Sequence, residues 1–538
     1  MRAQALGLSR IVRHYSQAPK SQSALWGQFS IVLSRSPSKS SAIRELVQYI
    51  ESRKSFSKHL PYDGRSSLVV LASKDLASWL EDPDFIPELL KSLRPREPPL
   101  NTSKKPGARL KRPTVDVLSG VMDGLVPKSP KGKPKSGLAF LVGSQGLLPG
   151  LWDKEAPNPA PKAEKSASIS FCAAFPGRPS NSGVTFPLAN TIFVNGRRST
   201  LTATRYTKDE ETDSWYGSTP QSKVHQNIEF SSDQGPLFQP TIPLLALTTP
   251  RKIVSGLGNI VKLIEIKGVS SPASTDLEVR IPHVINYRSE RGYDFAKRPF
   301  GVWAVVVPEE VMQTGLMRNL KIWARGTGST EPLFEEIIKN LQLLGVFDMR
   351  VYRVLSGGGG WGAKQGLLSL DPETSYTISE QDSMEMFIKA FQKKETLDGP
   401  EGPIRPGSYI WFGIEPYHRR MKGGEHYNRS GIWLGSIAAE EDVLAPGAET
   451  ESESKSQKPK REDKEPHAAQ FITSAFIAAS SAGLYMKLDT PGYYSAIKSY
   501  PFTTKIDVPH SLLYHPGAGR LTRERGEEAG SEKTGDTR

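Results

Sequence analysis

A run of glycines is the strongest candidate for chemistry in this sequence. The stretch from Val354 to Pro372 reads VLSGGGGWGAKQGLLSLDP, and Trp361 and Lys364 follow four successive glycines. Loops of this composition cradle phosphates in nucleotide-binding proteins, because glycine lets backbone N–H groups approach the phosphate oxygens closely. The first question is therefore whether this loop marks a nucleotide-using enzyme.

The spacing of the loop does not match a phosphate-binding loop. That motif reads G-x-x-x-x-G-K-[ST], in which the lysine neutralises the phosphates and the hydroxyl binds magnesium. Gly357 and Gly362 have the right separation, but Ala363 stands where the lysine should be and Gln365 is not a hydroxyl residue. The dinucleotide pattern also fails, because Asp382 lies in a polar stretch and not at a strand end.

Two interpretations of the loop remain open. It is a glycine-rich turn between two strands with Trp361 packed as an anchor, or its amides and Lys364 form a nest for an anion or an RNA phosphate. The candidate anion- or RNA-binding residues in this loop are Gly357, Gly358, Gly359, Gly360, Trp361 and Lys364.

A second constellation lies in the stretch IEPYHRRMKGGEHYNRSG. Glu415, His418, Glu425 and His426 are residue types that bind transition metals, but their spacing is not that of a rigid metal site. The stretch is also basic, which disfavours a cation and favours a solvated basic loop. Contact with RNA through phosphates and through stacking on Tyr417, Tyr427 and Trp433 stays open as an alternative. The candidate RNA-binding residues here are Arg419, Arg420 and Lys422. The sequence predicts no catalytic residue, no metal site and no cofactor.

The bulk composition excludes several classes of protein. The chain has 538 residues, which is too long for a single core, and a net charge of +13. Its single cysteine, Cys172, lies in an apolar strand candidate and excludes an internal disulfide framework. No apolar run approaches the ~18 residues of a membrane helix, so we expect no integral membrane segment.

The N-terminus has the composition of a targeting segment. Residues 1–44 contain seven Lys or Arg residues and no acidic residue. The first 20 residues are typical of a mitochondrial transit peptide, and RHYS resembles a matrix-processing site near Tyr15 and Ser16. The sequence therefore predicts a transit peptide over residues 1–20 and a mitochondrial matrix location.

The remaining elements predict an α/β fold, with a mixed α+β fold as the alternative. Strand patterns alternate with helical ones near the N-terminus, including a helix from about Ser41 to Arg53. Asn195–Gly196 between apolar runs predicts a β-hairpin. The stretch that starts at Pro250 reads as a helix-like run to Ile264. We expect a strand-rich, multi-segment sheet with flanking helices and long disordered insertions.

The domain organisation follows from composition. An N-terminal α/β region spans residues 28–206, with polar insertions near 94–113, 126–136 and 150–167. A C-terminal α/β region spans residues 207–439 and 468–515. Residues 440–467 and 516–538 are charged and poor in apolar residues, so they are expected to be disordered.

Several stretches carry a resemblance to a known family. VDVLSGVMDGL followed by SGLAFLVGS resembles the N-terminal half of FIST domains. FPLANTIFVNGRRSTLTATRY, PRKIVSGLGNIVKLIEI and SPASTDLEVRIP look like a fungal mitochondrial FIST-like protein family. The resemblance covers roughly residues 28–310 and leaves out the glycine-rich loop. It implies an α/β sensory module that binds a small ligand, with no catalytic residues to carry over.

Three functions remain open from the sequence. The first is a non-enzymatic mitochondrial matrix factor that binds protein or RNA partners, with a role in mitochondrial gene expression. The second is a FIST-type sensor of a small ligand, whose identity the sequence does not give. The third is an enzyme that uses the glycine-rich loop.

Overall fold

A computed structural model describes residues 26–33, 39–52, 65–92, 112–128, 133–153, 166–174, 183–209, 211–231, 238–290, 292–295, 301–313, 349–357, 366–376, 404–415, 428–438, 469–488 and 502–516. The predicted transit peptide (1–20) and the predicted insertion at 440–467 lie outside these residues, as does the predicted tail after residue 516. Residues 94–111, 129–132 and 154–165 of the three other predicted insertions also lie outside them.

The largest sheet, sheet I, joins the beginning of the chain to a strand from near its end. Its strands are β1 (Trp26–Leu33), β2 (Arg65–Ser73), β3 (Thr114–Met122), β4 (Gly137–Ser144), β7 (Leu201–Asp209), β8 (Ser214–Gly217), β9 (Gln221–Ser222) and β21 (Ala469–Thr473). They are paired in the order β21-β1-β4-β2-β3-β7-β8, and β9 also pairs with β7. β2 and β3 run parallel, and the other pairs of this sheet are antiparallel.

Two smaller sheets also contain one parallel pair each. Sheet II consists of β5 (Ser168–Ala174), β6 (Gly183–Pro187), β10 (His225–Ser231), β23 (Leu484–Leu488) and β24 (Phe502–Ile506), in the order β10-β5-β6-β23-β24. Sheet III consists of β11 (Gln239–Thr241), β20 (Gly431–Ser436), β22 (Ala475–Ser480) and β25 (Leu512–His515), in the order β11-β25-β20-β22. The parallel pairs are β5–β10 and β20–β22.

The fourth sheet closes on itself as a barrel. Its strands are β12 (Leu245–Ala246), β13 (Arg251–Leu257), β14 (Ile260–Ile266), β15 (Val269–Pro272), β16 (Val302–Val307), β17 (Arg350–Gly357), β18 (Leu368–Leu370) and β19 (Tyr409–Ile414). Antiparallel pairing runs β13-β14-β18-β17-β16-β19 and returns from β19 to β13. Ile253, Ile264 and Phe412 belong to its own apolar core.

The helices among the described residues cover one face of sheet I, pack on the barrel through Leu277 of the helix 275–289, or are short. They are α1 (Lys39–Ser52), α2 (Ala77–Glu81), α3 (Phe85–Ser92), α4 (Ile192–Asn195), α5 (Thr275–Ser289) and α6 (Glu309–Met312). α1 confirms the helix predicted from Ser41 to Arg53. α1 and α3 bury Leu46 and Phe85 against the face of sheet I that carries Leu68 and Val70.

The position of β2 between the helices and the two smaller sheets explains why its side chains are apolar on both faces. Leu68 and Val70 face the helices, whereas Val69 and Leu71 belong to a large core that sheets II and III share. A strand with both faces covered reads as a continuous apolar run, which is how SSLVVLAS appears in the sequence. The outer face of the barrel joins the same large core through Trp303.

The described residues confirm the predicted fold class, an α/β protein rich in strands with several mixed sheets and flanking helices. Sheets I and II each contain strands from both of the regions predicted from composition. β1 pairs with β21, and β6 pairs with β23. The predicted boundary near residue 206 therefore does not separate two independent sheets.

Two predicted local structures are wrong. The Asn195–Gly196 hairpin is absent, because α4 ends there and Gly196 closes its last turn with a φ of 74° and an N–H bond to the Ile192 carbonyl. The helix-like run to Ile264 is the β13–β14 hairpin, which turns at Gly258 with a φ of 61°. In both places a glycine in the left-handed region decides the local path of the chain.

Candidate functional site

The carboxyl ends of two parallel strand pairs meet at one place. β2 and β3 end in sheet I, β20 and β22 end in sheet III, and the residues that follow β3 and β22 touch each other. The Asp123 Oδ2 atom accepts hydrogen bonds from Ser481, from N at 2.7 Å and from Oγ at 2.9 Å. In α/β proteins the carboxyl ends of parallel strands are where ligands bind. We call this the strand-end site and define it by Lys74, Asp75, Asp123, Ser136, Ser436, Ser481 and Ser511.

Asp123 is the buried charge of the strand-end site. Its side chain is 4% exposed, and the Lys74 Nζ atom lies 2.7 Å from Oδ1. The next residue, Gly124, bridges to Ala479 of β22 through an Ala479 N–H bond of 2.8 Å to the Gly124 carbonyl. This bridge fixes Asp123 beside Ser481. A buried carboxylate needs partners such as Lys74 and Ser481, because burying its charge without them costs free energy.

Asp75 and Ser136 form the outer part of the site. The Ser136 hydroxyl donates to Asp75 Oδ2. Beside them, the amide of Gly137 donates to the Ser73 hydroxyl at 3.0 Å, which holds the end of β2 against the start of β4. Asp75 is exposed, so its carboxylate is accessible from solvent.

Two hydroxyls at the end of β20 are buried without a partner. Ser436 is 1% exposed and Ser511 is 0% exposed, and neither Oγ atom has a hydrogen-bond partner among the described residues. Ser436 lies opposite Ser480 in the β20–β22 register, and the Ile437 amide donates to the Ser480 carbonyl at 3.1 Å. The two hydroxyls therefore lie beside the strand end that precedes Ser481. Buried polar groups are normally paired, so these two indicate a place for a water or a ligand.

A second polar cluster joins the barrel to sheet II. The Lys505 Nζ atom lies 2.9 Å from Glu373 Oε2, 3.1 Å from Asp371 Oδ2 and 4.0 Å from Asp507 Oδ2. Asp507 also accepts a 2.8 Å hydrogen bond from the Trp303 indole N–H. We call Asp371, Glu373, Lys505 and Asp507 the junction cluster. Because Lys505 lies within 4.0 Å of all three carboxylates and links the barrel to sheet II, we interpret the cluster as a structural connection.

Burial and charge shift the pKa values in and around the junction cluster. Burial raises the pKa of Asp507, although Lys505 and the Trp303 hydrogen bond oppose that shift. Burial disfavours charged Lys505, but Glu373, Asp507 and Asp371 together raise its pKa. Burial and then Glu373 raise the pKa of Tyr485 well above its ordinary value. These shifts keep Lys505 charged and Tyr485 neutral near neutral pH.

A serine, a histidine and an asparagine are arranged like a catalytic triad on sheet II. The Ser168 Oγ atom lies 2.9 Å from His225 Nδ1, and His225 Nε2 lies 3.0 Å from Asn227 Oδ1. A triad needs an accessible nucleophile and a carboxylate that stabilises the imidazolium. Ser168 is 1% exposed and the third residue is a neutral amide. We interpret the group as a hydrogen-bonded pairing across the parallel strands β5 and β10.

The structure describes only the ends of the glycine-rich loop. Gly357 ends β17, and the chain returns in β18, which is antiparallel to β17. A Cβ atom on Gly357 would lie 2.1 Å from Leu368 Cδ2, so a larger residue there would force the buried Leu368 side chain to shift. A phosphate-binding loop leads from a strand into a helix. Here the described chain after Gly366 is a strand, which does not fit that motif.

Most residues predicted to bind an anion or RNA cannot be placed. Gly358, Gly359, Gly360, Trp361, Lys364, Arg419, Arg420 and Lys422 lie outside the described residues. Gly357 is described, and it lies at the end of a barrel strand and not in the strand-end site. Of the predicted candidates, only Gly357 can therefore be compared with the strand-end site.

The strand-end site was not predicted from the sequence. Its members come from six separate segments of the described chain, and Asp123 and Ser481 are 358 positions apart. The available signal was positional: Lys74 and Asp123 each follow directly after a strong strand pattern. Charged residues at such positions are candidates for ligand binding.

Within the described ranges, no group of three or more His, Cys, Asp or Glu side chains is arranged to hold a metal ion. No helix in those same ranges is long and apolar enough to cross a membrane. Comparison of the chain with protein-family models, with curated proteins and with solved structures gave no match.

Proposed function

We propose that this protein binds a small polar ligand at the strand-end site, in the manner that its FIST-like resemblance implies for a sensor. The observation that carries this proposal is the pair of buried hydroxyls of Ser436 and Ser511. They have no described partner and lie where two parallel strand pairs end. A ligand or an ordered water that accepts from these hydroxyls would remove the cost of burying them.

The charges of the site define the ligand class. Lys74 contributes one positive charge, and Asp75 and Asp123 contribute two negative charges. The balance of 1 − 2 = −1 disfavours a phosphate and favours a ligand that is neutral or carries one positive charge. Several hydroxyl groups line the site, so the ligand should carry several hydrogen-bonding groups.

The experiment measures ligand binding to the purified full chain and to two serine variants. Amino acids, polyols and inorganic phosphate are tested as probes by calorimetry and by thermal shift. Ser436→Ala removes a hydroxyl at the site. Ser67→Ala is the matched control, because Ser67 is 0% exposed and its hydroxyl also lacks a described partner, but it lies within β2.

The two variants separate a binding role from a structural one. Both should fold without loss of stability, since each substitution removes a buried hydroxyl that makes no hydrogen bond within the described chain. Only Ser436→Ala should weaken binding of a neutral or cationic probe, by about tenfold for one lost hydrogen bond. The proposal fails if no uncharged or cationic probe binds, or if phosphate is the probe that binds best.

The predictions that depend on other segments stay predictions. The RNA- or protein-binding matrix factor was inferred from residues 357–364 and 419–422 and from the first 20 residues. Of these residues, the structure describes only Gly357.

A further inference from the structure

Three adjacent apolar side chains are presented to solvent on α4. Phe193 is 100% exposed, and its neighbours Ile192 and Val194 are 46% and 51% exposed. Single exposed apolar residues are ordinary, but a contiguous group at one protruding turn marks an interaction surface. We call these three residues the apolar tip.

The turn that carries the apolar tip is rigidly built. The Thr191 hydroxyl donates to the Arg197 carbonyl at 2.8 Å, and the Thr191 amide donates to the Arg198 carbonyl at 3.0 Å. The Asn195 side-chain amide donates to the Thr200 hydroxyl at 2.8 Å and to Glu81 at 2.9 Å. These bonds fix both ends of the turn. The exposed position of Phe193 is therefore part of the fold.

The base of the turn is attached to the end of β3. The Ala189 amide donates to the Val121 carbonyl at 3.0 Å, and the Val121 amide donates to the Thr200 carbonyl at 3.1 Å. The apolar tip thus projects from the same end of sheet I that carries the strand-end site. Asp123 follows two residues after Val121.

Two exposed arginines, Arg197 and Arg198, follow the apolar tip in the same turn. The acid that contacts this turn is Glu81, which accepts a hydrogen bond from the Asn195 side chain. The lysines of the β3–β4 connection lie further along the end of sheet I, where Lys128 Nζ donates to Gln470 of β21. The turn itself therefore carries two positive charges beside one carboxylate that already accepts a hydrogen bond.

We propose that the apolar tip inserts into an anionic lipid surface, with Arg197 and Arg198 held at the headgroups. A convex tip with one fully exposed ring needs no preformed pocket, which suits the boundary between headgroups and acyl chains. Basic residues beside an inserted apolar group strengthen its attraction to anionic lipids. The result is weak, reversible contact at the end of sheet I. It is independent of ligand binding at the strand-end site.

The test is sedimentation of the purified full chain with vesicles. The vesicles consist of phosphatidylcholine alone or of phosphatidylcholine mixed with phosphatidylglycerol. The protein should sediment with the mixed vesicles, and added salt should reduce the bound fraction. Phe193→Ser should weaken binding by at least about tenfold, and Arg197→Ala by about fivefold.

Matched controls use exposed residues on the barrel side of the molecule. Val269→Ser, at a side chain that is 64% exposed, and Arg280→Ala should leave binding unchanged. Equal binding to both vesicle types overturns the proposal, and so does wild-type binding by Phe193→Ser. If light scattering instead shows a dimer that Phe193→Ser dissociates, without vesicle binding, the tip contacts a second copy and the proposal is wrong.

Discussion

Replacing Lys505 by methionine should destabilise the protein strongly, because it removes the ammonium that lies beside three partly buried carboxylates. Lys505 is 17% exposed, and Asp371 and Glu373 beside it are 16% and 23% exposed. Methionine keeps most of the length of the side chain and removes the charge together with its hydrogen bonds to Asp371 and Glu373. The change therefore tests the electrostatics of the junction cluster with little change in packing.

The magnitude follows from the distances in the cluster. At an effective dielectric constant of about 20, two opposite unit charges about 3 Å apart attract each other by about 5–6 kcal/mol. Lys505 has two such partners, at 2.9 Å and 3.1 Å. The cost of burying the ammonium offsets much of this attraction. Removal of one member of a buried ion pair typically costs about 3–5 kcal/mol, and we expect Lys505→Met to lie in this range.

The assay is urea unfolding of the full chain between pH 5 and pH 9, followed by tryptophan fluorescence. Trp303 is one reporter, because its indole donates to Asp507. Lys208→Met is the control, since its partner Asp213 has a side chain that is 77% exposed. An ion pair at this exposure contributes little, so the control should unfold at the wild-type urea concentration.

The pH dependence has a defined sign. The pKa of Lys505 is raised above 10.5, so its stabilisation is complete below pH 10.5 and is lost as the pH rises through the folded-state pKa. The wild type should thus keep this contribution throughout the assay range. The variant should recover stability as the pH falls and its carboxylates bind protons. Equal urea midpoints for Lys505→Met and wild type at pH 7 would refute this reasoning.

Two further predictions concern the barrel and the single thiol. Gly357→Val should destabilise the barrel by about 1–3 kcal/mol in urea unfolding, because a Cβ atom there would overlap buried Leu368. An unchanged midpoint would show that β18 can move aside. Burial, and then Glu229, raise the pKa of Cys172 from 9.0 to about 11. At pH 8, labelling by a disulfide reagent should therefore be about 100-fold slower than for a cysteine of ordinary pKa, and should accelerate tenfold per pH unit up to about pH 11. Labelling at the ordinary rate would contradict the burial of the thiol.

Strands of sheet I could be predicted because a continuous apolar run in the sequence is what a strand buried on both faces requires. SSLVVLAS and GLAFLVGS are continuous apolar runs, and both became strands with two covered faces. The α4 turn and the β13–β14 hairpin could not be predicted in the same way. The dipeptides Asn195–Gly196 and Gly258–Asn259 each permit either a helix end or a hairpin turn, and tertiary packing decides which one forms.

The strand-end site could not be predicted from the sequence for a different reason. Asp123 and Ser481 are unremarkable in their local sequence, and they become a pair only through the pairing of β22 with β20 and its bridge to Gly124. A single sequence carries no signal for contacts at such separations. By contrast, the glycine-rich loop was conspicuous locally, and its described end at Gly357 serves close packing in the barrel.

The pairing of β1 with β21 has a consequence for how the protein is made. The Ser30 hydroxyl donates to the Ala475 carbonyl across 445 positions, and Thr185 of β6 pairs with Tyr485 of β23 across 485 − 185 = 300 positions. At about 5–20 residues per second, a ribosome needs roughly 20–90 s to produce the intervening chain. During that time the edges of β1 and β6 are open to other chains. We therefore expect nascent or truncated forms that end before residue 469 to depend on chaperones, and to aggregate when chaperones are withheld.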